Sequence, residues 1–105
     1  MTRLPLPGIM LSMDVSARSW KGFFCTWPSE IARQGLLVTS FGEQVSFSGF
    51  MTSETFLLIE RKTPDPVGAR AIILPYDEVV ALKITDVLKP KALRSFGFEG
   101  PSASE

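Results

Sequence analysis

The sequence predicts a mainly β protein, a small and strongly bent five-stranded barrel with a short helix before the first strand. Three observations support this fold class. Five short apolar runs lie between residues 36 and 85, polar or Pro- and Gly-containing turns separate them, and a glycine falls within the second run. Short strands bounded by turn residues are typical of small barrels, and a glycine inside a strand commonly marks the bend that lets a sheet curl.

The predicted helix covers residues 28–35 and comes directly before the first strand. Pro28 is suited to the first helical position, Glu30 to the positive amino end, and Gly35 to a left-handed carboxyl cap. Ile31 is its inward-facing residue. Because a helix of about two turns is not stable alone, it must dock on the neighbouring strands.

The predicted strands are short, and their apolar residues indicate which face is buried. They cover residues 36–39, 44–49, 56–59, 69–74 and 79–85. In the second strand Val45 and Phe47 alternate with serines, which predicts one buried and one wet face. The third strand is apolar at every position, so we expect both of its faces to be covered. Gly49 marks the bend in the second strand.

The fifth run admits two interpretations. Val80, Leu82 and Ile84 alternate with other residues as in a strand, which would place Leu82 in the core. Alternatively, Asp77 caps a helix over residues 78–88. The β-branched residues of this segment favour the strand.

Composition divides the 105 residues into a folded module with two irregular ends. Residues 1–17 are predicted to form a flexible arm, residues 18–94 the barrel domain, and residues 95–105 a disordered tail rich in Gly and Ser. Prolines interrupt the apolar start of the arm, so we do not expect a secretory leader. No run approaches the ~18 apolar residues that span a bilayer, which predicts a cytoplasmic protein with no membrane partner.

Charge and reactive residues limit the expected function. Eleven basic and eleven acidic residues give a net charge of zero, which disfavours strong nucleic-acid binding and leaves self-association easy. The chain has no His and one cysteine, Cys25, so the usual nucleophile and base pairs and the Cys clusters of zinc sites are missing. We therefore expect no catalytic residues, no metal and no cofactor.

An aromatic segment precedes the predicted helix. It contains Trp20, Phe23, Phe24 and Trp27. Such rings suit a stacking platform for bases or an anchor at a membrane interface. The alternative is a strand or loop packed over one end of the core, and we favour it because large aromatic side chains dominate core burial.

The order of helix, bent strands, loop and final strand resembles the Sm and Sm-like family. Four features carry the resemblance: Gly42 in the first hairpin, Gly49 at the bend, residues 54–56 before the third strand, and residues 72–79 before the last. It covers residues 28–85, about half of the chain. The resemblance implies a strongly bent five-stranded barrel that forms a homo-oligomeric ring, a hexamer or heptamer, by pairing the fourth strand of one subunit with the fifth of the next.

The resemblance also implies a ligand site at Glu54, Phe56 and Tyr76. Glu54 and Phe56 fit the first family motif, whereas Leu58 stands where an Asn would read a base. At the second motif, Tyr76 is followed by two acidic residues that would repel a phosphate. Tyr76 could stack on a base or close one end of the barrel.

Two functions are expected from these features. The first is a non-enzymatic, ring-forming Sm-like protein that binds RNA or nucleotides weakly. The alternative is an SH3-like β-barrel that serves as a structural or protein-interaction module without binding nucleic acid.

Overall fold

The computed structural model describes residues 15–102, and these form one antiparallel sheet with a helix on each side of it in the sequence. The elements are α1 (Val15–Cys25), β1 (Gly35–Thr39), β2 (Gln44–Thr52), β3 (Phe56–Arg61), β4 (Ala71–Pro75), a 3₁₀ turn (Tyr76–Glu78), β5 (Val79–Lys83) and α2 (Pro90–Ser95). The strand order is β4-β3-β2-β1-β5. The predicted mainly β fold is confirmed, and a short helix does precede the first strand, although at other residues than predicted.

All five predicted strands are present, within one to three residues at their ends. The alternative helix over residues 78–88 is wrong, because β5 pairs antiparallel with β1 and sets Leu82 opposite Leu37. The sheet does not close into a barrel among the described residues. Instead β4 and β5 are its two edges.

A bulge in β2 confirms the predicted bend at Gly49. Phe47 lies opposite Arg61 and Gly49 opposite Glu60, so Ser48 is an extra residue with no partner in β3. One extra residue reverses the alternation of side chains along a strand. Phe47 and Phe50, three residues apart, are accordingly both buried.

A second bulge lies where β5 pairs with β1. Thr39 is opposite Val79 and Val38 opposite Ala81, which leaves Val80 as the extra residue. Val79 is therefore buried, whereas Val80 is 58% exposed. Leu82 faces inward, as predicted, but it is only half-buried because β5 is an edge strand with no neighbour beyond it.

The predicted helix over residues 28–35 is wrong, since this segment forms turns. The Ile31 amide donates to the Pro28 carbonyl at 3.2 Å, and the Trp27 indole nitrogen donates to the Ile31 carbonyl at 3.0 Å. Ile31 is buried as expected. Gly35 is the first residue of β1, and its φ is not left-handed. A Cβ there would lie 2.6 Å from the Lys83 carbonyl oxygen, so glycine is required by the close approach of β5.

The helix lies earlier in the chain, in α1. The last three residues of the predicted arm belong to it, and residues 1–14 lie outside the described residues. Ala17, Trp20 and Phe24 recur at helical spacing and face the core, where Ala17 and Phe24 are buried. Most of the aromatic segment is therefore helical rather than a strand or loop, whereas Trp27 follows the helix, and α1 packs over the core, contacting the 3₁₀ turn.

The core lies between α1 and the inner face of the sheet. The Phe24 ring meets the Phe50 ring edge to face, with centroids 5.0 Å apart. Leu57 and Ile59 of β3 are buried beneath them, but Phe56 on the other face is 47% exposed. The prediction that both faces of β3 are covered is therefore wrong, because α1 covers one face only.

The C-terminal segment packs on the helical layer. Phe96, which follows α2, stacks on Phe23 with ring centroids 4.1 Å apart and planes 7° from parallel. Ala92 of α2 is buried. Residues 95–102 of the predicted tail are thus described, whereas residues 103–105 lie outside the described residues.

Candidate interaction site at the sheet edges

The three predicted ligand residues meet at one end of the sheet. The turn between β2 and β3 contains Ser53 and Glu54, and Phe56 begins β3 opposite Pro75 of β4. Tyr76 follows Pro75, and its hydroxyl donates a hydrogen bond to the Ser53 carbonyl oxygen at 2.9 Å. The structure thus brings the three residues together and shows what each of them contacts.

Tyr76 is a core residue. Its side chain is only 1% exposed, so neither face of the ring is open to a base. Burial raises the pKa of the Tyr76 hydroxyl, because it disfavours the charged phenolate. This arrangement is the packing role considered for Tyr76 in the sequence, in which its ring closes one end of the sheet.

Glu54 joins the β2–β3 turn to α1. Its carboxylate accepts a hydrogen bond from the Lys21 ammonium at 2.7 Å, while 92% of the Glu54 side chain stays exposed. The hydrogen bond lowers the pKa of Glu54 and raises that of Lys21. The charge of Glu54 is thus paired within the chain.

We expect the Glu54 carboxyl to titrate, by NMR, at a lower pH than glutamates without such a partner. Because the folded-state pKa is lowered, the contribution of Glu54 to stability is present above its ordinary pKa and is lost as the pH falls through the lowered one. Lys21→Gln should return the Glu54 midpoint to the ordinary range, whereas Lys62→Gln, the matched control, should leave it unchanged. An unshifted Glu54 midpoint in the parent would contradict the pairing.

Phe56 belongs to an apolar row on the outer face of the sheet. Leu58 of β3 lies opposite both Met51 of β2 and Ile73 of β4, and all three share that face with Phe56. Met51 is 62% and Ile73 64% exposed. Exposed apolar rows of this kind commonly mark interaction surfaces. The signal was in the sequence, because residues 56–59 are all apolar, but the same pattern also fits a strand that is covered on both faces.

Each of the two edge strands carries an exposed apolar side chain. Ile73 lies on β4 and Val80 on β5, at opposite ends of the strand order. The backbone groups on the outer side of an edge strand have no ladder partner and can pair with another strand. Within residues 15–102, each edge of this sheet therefore combines unpaired backbone with an exposed apolar side chain.

The described part of the chain offers few other functional groups. Residues 15–102 hold no group of three or more His, Cys, Asp or Glu side chains that could bind a metal ion. No helix within these residues has the length and apolar character needed to cross a membrane. Of the two acidic residues after Tyr76, Glu78 is hydrogen-bonded to the Ser40 hydroxyl and Asp77 is exposed.

Comparisons with protein-family models, with curated proteins and with solved structures found no match to this chain.

Proposed function

We propose that this chain is a non-enzymatic assembly module, an Sm-like protein that forms a closed homo-oligomeric ring through its sheet edges. The observation that carries the proposal is the open sheet, in which β4 and β5 are unpaired on their outer sides within residues 15–102 and lie at opposite ends of the strand order. The proposal explains why the exposed Ile73 and Val80 lie on these two strands.

Edge pairing between copies follows from this arrangement. When β4 of one copy pairs with β5 of the next, each copy still has one edge free, so the contact is heterologous and repeats until a ring closes. A net charge of zero adds little repulsion between copies. The ring of six or seven subunits is the size that the resemblance implies.

The proposed RNA or nucleotide binding is weak and is assigned to Phe56. Among the three predicted ligand residues, Tyr76 is buried and Glu54 carries a paired negative charge. Phe56 alone offers an exposed ring on which a base could stack. No basic residue lies beside it in the turn, so phosphate contacts would contribute little.

The outer-face row supports a second candidate, a protein-interaction module of the SH3-like kind. Met51 lies on β2, inside the sheet, so pairing at the edges would leave it exposed. A partner protein that covers Met51, Phe56 and Ile73 would bury this row instead.

We expect light scattering of the parent at tens of micromolar to give a mass several times the 11.6 kDa of one chain. Ile73→Lys should give monomer, because a lysine on an edge strand blocks pairing with another strand. Val67→Lys is the matched control, since Val67 is 89% exposed but lies in the loop before β4. A monomeric parent would exclude the ring, and an assembled Ile73→Lys variant would exclude β4 from the interface.

Mixing two edge variants distinguishes heterologous from symmetric pairing. Ile73→Lys keeps an intact β5 edge and Val80→Lys keeps an intact β4 edge. Because the ring uses one edge of each kind, the mixture should form a dimer although each variant alone stays monomeric. Assembly of the Val80→Lys variant alone would instead indicate β4–β4 pairing.

Mobility shifts with U-rich and A-rich RNA at two salt concentrations test the weak binding, and Phe56→Ala should abolish any shift. If no shift occurs at low salt, where phosphate contacts are strongest, the RNA assignment is wrong.

A further inference from the structure

An apolar groove lies between α1, β5 and the C-terminal segment. Its volume is about 390 Å³, and Ser19 is the one polar residue among those that line it. Its walls include Trp20 and Phe23 of α1, Leu82 of β5, and Leu93 of α2. None of the lining residues is charged.

The groove is open to solvent in residues 15–102. Leu82, Ile84 and Leu93 are half-buried, and Phe98 is 57% exposed. The stacking of Phe96 on Phe23 holds the C-terminal wall against α1. Because removing apolar surface from water is favourable, a groove of this composition favours an occupant that is itself apolar.

We propose that the apolar N-terminal segment of the same chain, residues 4–13, packs in this groove. The segment contains six large apolar residues and no charged residue, and its flanking charges are Arg3 and Asp14. The six are Leu4, Leu6, Ile9, Met10, Leu11 and Met13. An uncharged apolar segment thus matches an uncharged apolar groove.

The point at which the segment joins the described structure lies close to the groove. Residues 1–14 join the described structure at Val15, the first residue of α1. Ser19, on the groove, is one helical turn further, about 6 Å along the axis. Ten residues can span up to roughly 33 Å, so the segment can turn back along the groove. As part of the same chain it is present at an effective concentration of the order of millimolar.

This inference does not depend on the ring, and spin labelling of the full-length chain tests it. Because Cys25 is the single cysteine and is exposed, Cys25→Ser combined with Pro5→Cys, near the far end of the segment, gives one site for a nitroxide. We expect the methyl signals of Leu82, Leu88 and Leu93 to lose most of their intensity. A nitroxide at Val67→Cys, in the loop before β4, is the control and should leave these methyls unaffected. Undiminished groove methyls with the label at position 5 would overturn the proposal.

A second set of variants separates loss of docking from loss of fold. Ile9→Asp with Leu11→Asp should restore the groove methyl signals and increase the fluorescence of a dye that binds apolar surfaces. Thr2→Asp adds a charge outside the apolar segment and should do neither. If the double variant leaves the broadening unchanged, another part of the chain holds the label near the groove and the proposal is wrong.

Two further measurements test whether something other than this segment occupies the groove. A mixture of nitroxide-labelled protein without ¹³C and unlabelled protein with ¹³C-methyl groups reports contacts between copies. Broadening in this mixture equal to that in the singly labelled sample would assign the groove to the segment of a second copy and overturn the intramolecular proposal. Mass spectrometry of the intact purified protein showing a bound acyl-chain lipid would overturn it in favour of a lipid.

Discussion

Tyr76→Ala is expected to lower the free energy of unfolding by about 3 to 5 kcal/mol, the usual cost of truncating a buried aromatic side chain to alanine. The Tyr76 ring is 1% exposed and packs in the core cluster with Phe24, Phe47 and Phe50. Small domains have a total stability of roughly 5 to 15 kcal/mol. Urea unfolding followed by tryptophan fluorescence measures the difference.

Tyr76→Phe is the matched control for this substitution. It keeps the ring and removes the hydroxyl that donates to the Ser53 carbonyl oxygen at 2.9 Å. We expect a loss of about 1 kcal/mol, the typical net contribution of one hydrogen bond. If Tyr76→Ala instead left stability unchanged and abolished an RNA mobility shift, Tyr76 would be a base-stacking residue and the packing role would be wrong.

High pH provides an independent check on the burial of Tyr76. Burial raises the folded-state pKa above the ordinary 10.0, so the contribution of the neutral hydroxyl is fully present below that value. It is lost as the pH rises through the raised pKa, because the unfolded chain ionises first. Tyr76→Phe should therefore lose less stability than the parent as the pH is raised above about 10.

Gly35→Ala is expected to destabilise the fold by about 1 to 3 kcal/mol, or to prevent folding, because the new methyl group has no space. The added Cβ would lie 2.6 Å from the Lys83 carbonyl oxygen and 3.4 Å from the Phe47 ring. The carbonyl belongs to the β1–β5 ladder, so it cannot move without separating the two strands. Thermal unfolding should show a midpoint lower by about 4 to 8 °C for each kcal/mol lost.

Gly49→Ala tests whether the nature of the obstructing atom decides the effect. The Cβ added there would clash with the Glu60 carboxylate, the far end of an exposed and flexible side chain. Because this carboxylate can turn away into solvent, we expect a much smaller loss of stability than for Gly35→Ala. Equal losses for the two variants would show that the β1–β5 approach is not the constraint on Gly35.

Local patterns in the sequence predicted the strands well and the helix poorly. Alternation in β2 identified Val45 and Phe47 as core residues, and Gly49 marked its bulge. Residues 28–35 carry favourable helix-terminal residues, yet they form turns that bring Gly35 into β1. The spacing of Ala17, Trp20 and Phe24 was the signal for α1, but the same aromatic residues also fitted a strand or loop over the core.

The resemblance named three ligand residues, and the structure gives their surroundings. Glu54, Phe56 and Tyr76 do lie together at one end of the sheet, as the resemblance implied. Their chemistry depends on residues distant in the sequence, because Lys21 of α1 pairs with Glu54 and the Ser53 carbonyl accepts the Tyr76 hydroxyl. No local pattern relates Lys21 to a turn 33 residues later.

The sequence alone determined the number of strands and their succession along the chain, because hydrophobic alternation and turn residues act over a few neighbouring positions. Tertiary structure decided which strands lie at the edges, which face of β3 is covered, and whether Leu82 is buried. These depend on contacts between distant segments, and two bulges reverse the alternation that a sequence pattern assumes. The sheet order that leaves β4 and β5 unpaired is likewise a tertiary property, and it is the basis of the proposed assembly.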